Sequence, residues 1–153
     1  MLRLAGRSGD GAILNWLSAD NVSQCVAEVG SDKIISARLF VIPTEDADTA
    51  RFIARRMISS YLTVQTYAEF HKWLGNGEKL QPMWDAWAEG DRKKANEVIP
   101  DSICDELIIH GSYGHCREQI QRYVDAGIHI PNLAVIPFGV DLADAIRGLA
   151  PTA

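Results

Sequence analysis

Apolar positions along the chain change their spacing several times, and each change marks an element. Leu2, Leu4 and Ala5 suit a short helix that Gly6 and Gly9 can end, and Asp10–Gly11 is a turn signal. Residues 12–16, Ala-Ile-Leu-Asn-Trp, then run almost without polar alternation, as a buried strand does. Strands buried on both faces belong to parallel sheets, whose faces are covered by helices. Ser18-Ala19-Asp20 begins a helix on which Val22, Cys25, Val26 and Val29 fall at i, i+3, i+4 and i+7, and Gly30 stops it. Residues 34–42, IISARLFVI, form a second strand rich in β-branched residues, closed by Pro43.

Residues 45–110 read as a helical stretch. Ile53, Met57, Tyr61 and Val64 recur at three- and four-residue steps, and Phe70, Trp73 and Leu74 continue an apolar face before Gly75-Asn76-Gly77. Leu80, Met83, Trp84 and Trp87 share one face of a second helix. Asp91 caps a third helix, Pro100 closes it, and Asp101 begins a short fourth. Ser112 then N-caps a helix lined by Cys116, Ile120, Tyr123 and Val124, with Gly127 at its end. A third strand over 132–136 stops at Pro137, and a last helix covers 141–149.

Alternating strands and helices with buried strands define an α/β fold around a parallel sheet. Three strands are few for so many helices. A complete eight-stranded βα barrel takes about 250 residues; this chain has the content of three such units plus an insertion after the middle strand.

Composition narrows the functional classes. The net charge is −5, and no basic run is longer than Arg92-Lys93-Lys94, so nucleic acid is not an expected partner. No apolar stretch reaches the length of a membrane span, and no signal-peptide pattern opens the chain. Cys25, Cys104 and Cys116 are odd in number and irregularly spaced, as reduced, buried thiols of a cytoplasmic protein are. Cys104, His110, His115 and Cys116 match no metal-ligand spacing, so no metal site is expected. The glycines of residues 6–11 precede a strand rather than joining a strand to a helix, and they read as a turn rather than a phosphate loop.

Four segments in order resemble one family: LRLAGRSGDGAILNWLS (2–18), ARLFVIPTEDAD (37–48), YLTVQTYAEFHKWLG (61–75) and GSYGHCREQIQRYVDAGI (111–128). They resemble the luciferase-like oxidoreductases, especially those that use the deazaflavin coenzyme F420. The resemblance implies the C-terminal part of a (β/α)8 TIM barrel. Its three parallel strands resemble strands six to eight, and the helical insertion of about 45–110 follows strand seven. It further implies hydride transfer with F420, or monooxygenase chemistry with FMN as the alternative cofactor, acting on a small-molecule substrate in the full enzyme. Two departures stand out. Tyr113-Gly114-His115 occupies a helix start that carries Pro and Glu in the family. The family's phosphate-binding Gly-Pro turn lies just before the helix that begins here at Leu2, so cofactor binding is expected only with that N-terminal part. The chain alone is then expected to be inactive and to self-associate or dimerise through open strand edges. The alternative is a non-catalytic binding or assembly module derived from the same fold.

Strand parity selects the candidate pocket residues. Ile35, Ala37, Leu39 and Val41 make one wholly apolar face, and Ile34, Ser36, Arg38, Phe40 and Ile42 make the other. Barrel active sites lie at the C-terminal ends of the strands, so Arg38 and Phe40 approach the pocket floor, Arg38 facing an anionic substrate or a cofactor ring edge. The competing reading is a structural arginine, paired with a barrel carboxylate or snorkelling outward. Asn15 and Trp16 end the first strand at the same rim, as ring ligand and pocket wall, or else as a loop-bonding amide and a packing indole. Phe138 joins them by position after the third strand. No residue is assigned a catalytic role. Trp73, Trp84 and Trp87 read as the core of the insertion, or as a lid.

Overall fold

The computed structural model describes residues 1–151. In chain order its elements are α1 (Leu2–Ser8), β1 (Gly11–Asn15), a 3-10 turn (Ala19–Asn21), α2 (Val22–Val29) and β2 (Ile34–Ile42). Five helices follow: α3 (Ala47–Leu62), α4 (Gln65–Trp73), α5 (Gly77–Ala88), α6 (Arg92–Glu97) and α7 (Asp101–Leu107). The chain then continues through β3 (Ile108–His110), α8 (Tyr113–Asp125), β4 (Ile130–Val135) and α9 (Leu142–Leu149). It forms two compact units, one from Met1–Asp46 together with the segment from Glu106 onward, the other from Ala47–Asp105.

In the sheet unit β2 is central and every pairing is parallel. β1 runs beside its first half, Gly11 opposite Ile34 and Asn15 opposite Arg38. β3 runs beside its end, Phe40 opposite Ile108 and Ile42 opposite His110. β4 lies on the other side, from Ser36–Ile130 to Val41–Val135. Gly11 fits because its backbone presses against β2: a Cβ there would sit 1.9 Å from the Ile34 carbonyl oxygen. Gly30, at φ 115°, ends α2 in a conformation that favours glycine.

Right-handed βα crossovers that step the same way across a sheet put their helices on one side of it. The segments around α2 and α8 meet accordingly. Arg122 pairs with Asp20 at 2.9 Å, and a Cβ on Gly127 would lie 3.1 Å from the Val26 side chain. Tyr123, 4% exposed, pins α8 to the end of β1's loop by donating its hydroxyl to the Leu17 carbonyl at 3.0 Å. Ile35, Ala37, Leu39 and Val41 are 0–3% exposed on that covered side.

Four details differ from the pattern-based expectation. The sheet has four strands rather than three, because Ile108–His110 pairs with β2, and the helical stretch therefore closes at Leu107. β4 begins at Ile130, before Pro131; an outer strand tolerates a proline that a central one would reject. β1 is covered on one face only: Leu14 is 4% exposed and Ile13 83%. In the helical unit, α3 buries Ala50, Ala54, Ile58 and Leu62 instead of the face through Met57 and Tyr61. Small alanines let helices approach closely, and that proximity outweighs the larger side chains one position away. Asp91 caps α6 as expected, accepting from the Lys94 amide at 2.9 Å.

Candidate functional site

Side chains in register on neighbouring parallel strands point to the same face, so the pairings lay three rows across the side of the sheet away from α2 and α8. The first is Ile13, Ser36 and Ile130; the second is Asn15, Arg38 and Asn132; the third is Ile108, Phe40 and Ala134. The middle row is wholly polar. Asn132 donates its Nδ2 hydrogen to Ser36 Oγ, and Ser36 donates to the Ile130 carbonyl at 3.0 Å. This pair fixes the Asn132 amide beside Arg38.

Arg38 is exposed. Its guanidinium lies 4.8 Å from the centre of the Phe40 ring, an arrangement in which the ring's negative face attracts the cation. It has no carboxylate partner among the described residues. On Phe40, 3% exposed, rests Trp16, 1% exposed, with ring centres 4.3 Å apart.

Trp16 takes φ 54°, the single positive φ of a non-glycine among the described residues. Such a backbone costs on the order of 1–3 kcal/mol and persists only where its surroundings hold it. Its effect is geometric. Strand alternation would send residue 16 to the face opposite Asn15; the left-handed turn breaks the alternation and lays the indole on Phe40.

Asn15, Trp16, Arg38 and Phe40 are therefore brought together, whereas Phe138 is not. It is 54% exposed on the loop after β4, its amide donating to Ile136 O at 2.8 Å. Two contributors escaped the sequence reading. Ser36 shared the candidate face but was not singled out, and Asn132 reaches the row only through a cross-strand register that no local pattern encodes. His110 also arrives at the C-terminal end of this face, in register with Ile42.

The three rows contain a cation, two amides, a hydroxyl and one ring, but no carboxylate, thiol or imidazole. They can bind and orient a flat polar group; they cannot move a proton at neutral pH. The thiols lie elsewhere: Cys25, Cys104 and Cys116 are all buried, and burial pushes each up to about 11, which keeps them protonated and unreactive.

A parallel sheet with helices on one side and an orienting polar face on the other, at the strands' C-terminal half, is the arrangement of a βα-barrel segment. The profile of the luciferase-like monooxygenase family matches residues 1–129, and the chain belongs to that family. No curated protein matches the sequence. Among solved structures, it is similar to a coenzyme F420-dependent tetrahydromethanopterin reductase from Methanopyrus kandleri, at 18% identity and TM-score 0.72 over 97% of this chain. An F420-dependent secondary alcohol dehydrogenase, in complex with an F420–acetone adduct, is similar at 15% identity and TM-score 0.58 over 98% of this chain. The two likenesses show the fold. The chain spans 46% of the length of each.

Proposed function

We propose that this chain forms one wall of the cofactor and substrate pocket of a luciferase-like oxidoreductase whose redox partner is coenzyme F420, with FMN as the alternative. The observation that carries this reading is the row Asn15–Arg38–Asn132 set beside the Phe40–Trp16 stack. Its donor set fits a flavin-like ring: amides both donate and accept at a carbonyl- and N–H-bearing edge, a guanidinium favours a carbonyl or an anion, and aromatic faces exclude water from one side. When bound, such a cofactor supplies hydride transfer or oxygen chemistry, and the protein's part is orientation. Asn15 and Asn132 hold the ring edge or a substrate hydroxyl, and Arg38 holds negative charge. The proton needed by either reaction comes from residues outside the three rows.

One wall encloses too little of a ligand for tight binding, since small-molecule sites bury roughly 70–90% of the ligand's surface. The reading therefore has the 153-residue chain without turnover by itself, working with the remainder of a barrel. Reduced thiols favour a cytoplasmic setting. Among the described residues no helix is long and apolar enough to cross a membrane. Titration of F420 and of FMN into the chain, followed by fluorescence, is expected to show no tight binding. A dissociation constant near 1 μM, about −8 kcal/mol, overturns the one-wall reading. Supplying the rest of a barrel should restore binding.

A second reading, a non-catalytic assembly module, draws on Ile13, Ile34 and Ile130, which are 83%, 55% and 49% exposed on the same face. Exposed apolar side chains beside outer strands invite a second copy. Sedimentation separates the readings: association that persists after cofactor binding is restored favours the module.

A further inference from the structure

The helical unit holds a cleft of about 780 Å³, a size typical of small-molecule sites. One wall is α3, which presents Phe52, Arg56 and Ser59 at i, i+4 and i+7. The other is Trp87 at the end of α5 and the first turn of α6. The chain as a whole is acidic at −5, yet this lining carries Arg55, Arg56, Arg92 and Lys93 against one carboxylate, Glu97.

These cations are not equally engaged. Arg55 is bound to Asp101 and to the Ile99 carbonyl at 3.1 Å. Arg92 stacks 3.7 Å from the centre of the Trp87 ring and donates Nη1 to the Trp87 carbonyl at 2.5 Å. Lys93 faces Glu97 at 3.7 Å, both side chains exposed. Arg56 has no carboxylate partner among the described residues and lies 5.7 Å from the Phe52 ring, which is 61% exposed. The floor is polar and fixed: Ser59, 2% exposed, donates to Asn96 Oδ1 at 2.7 Å, and Asn96 donates Nδ2 to the Arg92 carbonyl at 2.8 Å.

We propose that this cleft is a binding site for a small organic anion carrying a phosphate or carboxylate on a flat ring. A guanidinium resting on an aromatic face keeps its N–H edge free for an oxyanion, and phosphate and carboxylate both match that fork. Arg56 supplies the uncommitted fork and Lys93 a second charge. Phe52 and Trp87 give the ring a surface to lie against. The excess of positive charge selects against neutral and cationic molecules of the same shape.

Calorimetric titration of the intact chain at low salt tests this, with adenosine 5′-monophosphate and benzoate as ring anions and adenosine and inorganic phosphate as half-ligands. At least one ring anion is expected to bind with a dissociation constant under about 1 mM, and its half-ligand, where tested, roughly tenfold more weakly. Preference for the nucleotide assigns the site to phosphates; preference for benzoate assigns it to carboxylates. Arg56→Gln should weaken binding about fivefold or more without lowering the thermal midpoint, because the side chain is exposed. Lys93→Gln gives an independent second reading. Arg38→Gln should leave binding unchanged, which separates the cleft from the sheet face. Absence of binding by both ring anions overturns the proposal, as does affinity indifferent to both Arg56→Gln and Lys93→Gln.

Discussion

On β2, the odd-numbered positions 35 to 41 are all aliphatic and 0–3% exposed, while the even-numbered ones are mixed: Ile34 (55%) and Arg38 are exposed, and Ser36, Phe40 and Ile42 are buried. One nine-residue segment thus carries a sealed face and a mixed one. The sealed face is uniform because helices cover it along its whole length. The mixed face is open at Ile34 and Arg38, and closed where Asn132 bonds Ser36 and where Trp16 folds onto Phe40. Adjacent residues of one strand therefore answer to different demands, so stability and ligand handling should separate by parity.

The largest effect that would sharpen this contrast is expected in alkali. Cys25 on α2 and Cys116 on α8 belong to the helices of the sealed side, and burial pushes each from 9.0 up to about 11; burial also pushes the Tyr123 phenol up. The folded state keeps protons that the unfolded chain releases first, so this contribution is whole below about pH 9 and is lost as pH rises through about 11. Urea midpoints should be insensitive to these thiols at pH 7–8.5 and fall steeply above 9. A midpoint that holds to pH 11 would mean that the sealed side is not sealed.

Next in size is Leu39→Ala, which removes a side chain 3% exposed. Loss of transfer energy plus a residual cavity should cost about 2–5 kcal/mol, read from chemical denaturation. The smallest stability effect belongs to its neighbour: Arg38→Ala gives up only a partly solvated cation–ring contact, about 0.5–1 kcal/mol. In a completed barrel the same change should lower turnover far more than it lowers stability. If Arg38→Ala destabilises as much as Leu39→Ala, the division by parity is broken.

Much of the fold was legible, for reasons specific to each element. β2 declared itself at both ends through a β-branched run and Pro43, and its parity followed from alternation alone, which is why Arg38 and Phe40 could be paired in advance. Elements set by contact rather than composition were misjudged. β3 is only three residues long and exists because β2 has a free side there. The buried stripe of α3 is marked by Ala50 and Ala54, which carry little hydrophobic signal but allow close packing. The site divides the same way. Asn15, Arg38 and Phe40 are local readings, whereas Asn132 depends on pairing across 94 residues, and the turn at Trp16 depends on a backbone conformation that tryptophan's own preferences do not suggest.

Pro131 has a consequence for how this chain goes wrong. The Ile136 amide donates to the Val41 carbonyl at 2.8 Å, so alternation turns the even-numbered amides of β4 inward and leaves position 131 on the outer edge. There the proline costs no bond within the sheet, but it deletes a donor that an incoming strand would need. β1, at the opposite edge, carries no such guard between Gly11 and Asn15. An added strand is therefore expected to pair along β1 more readily than along β4. Replacing Pro131 with valine restores that donor, so Pro131→Val is expected to raise aggregation on heating, read by light scattering.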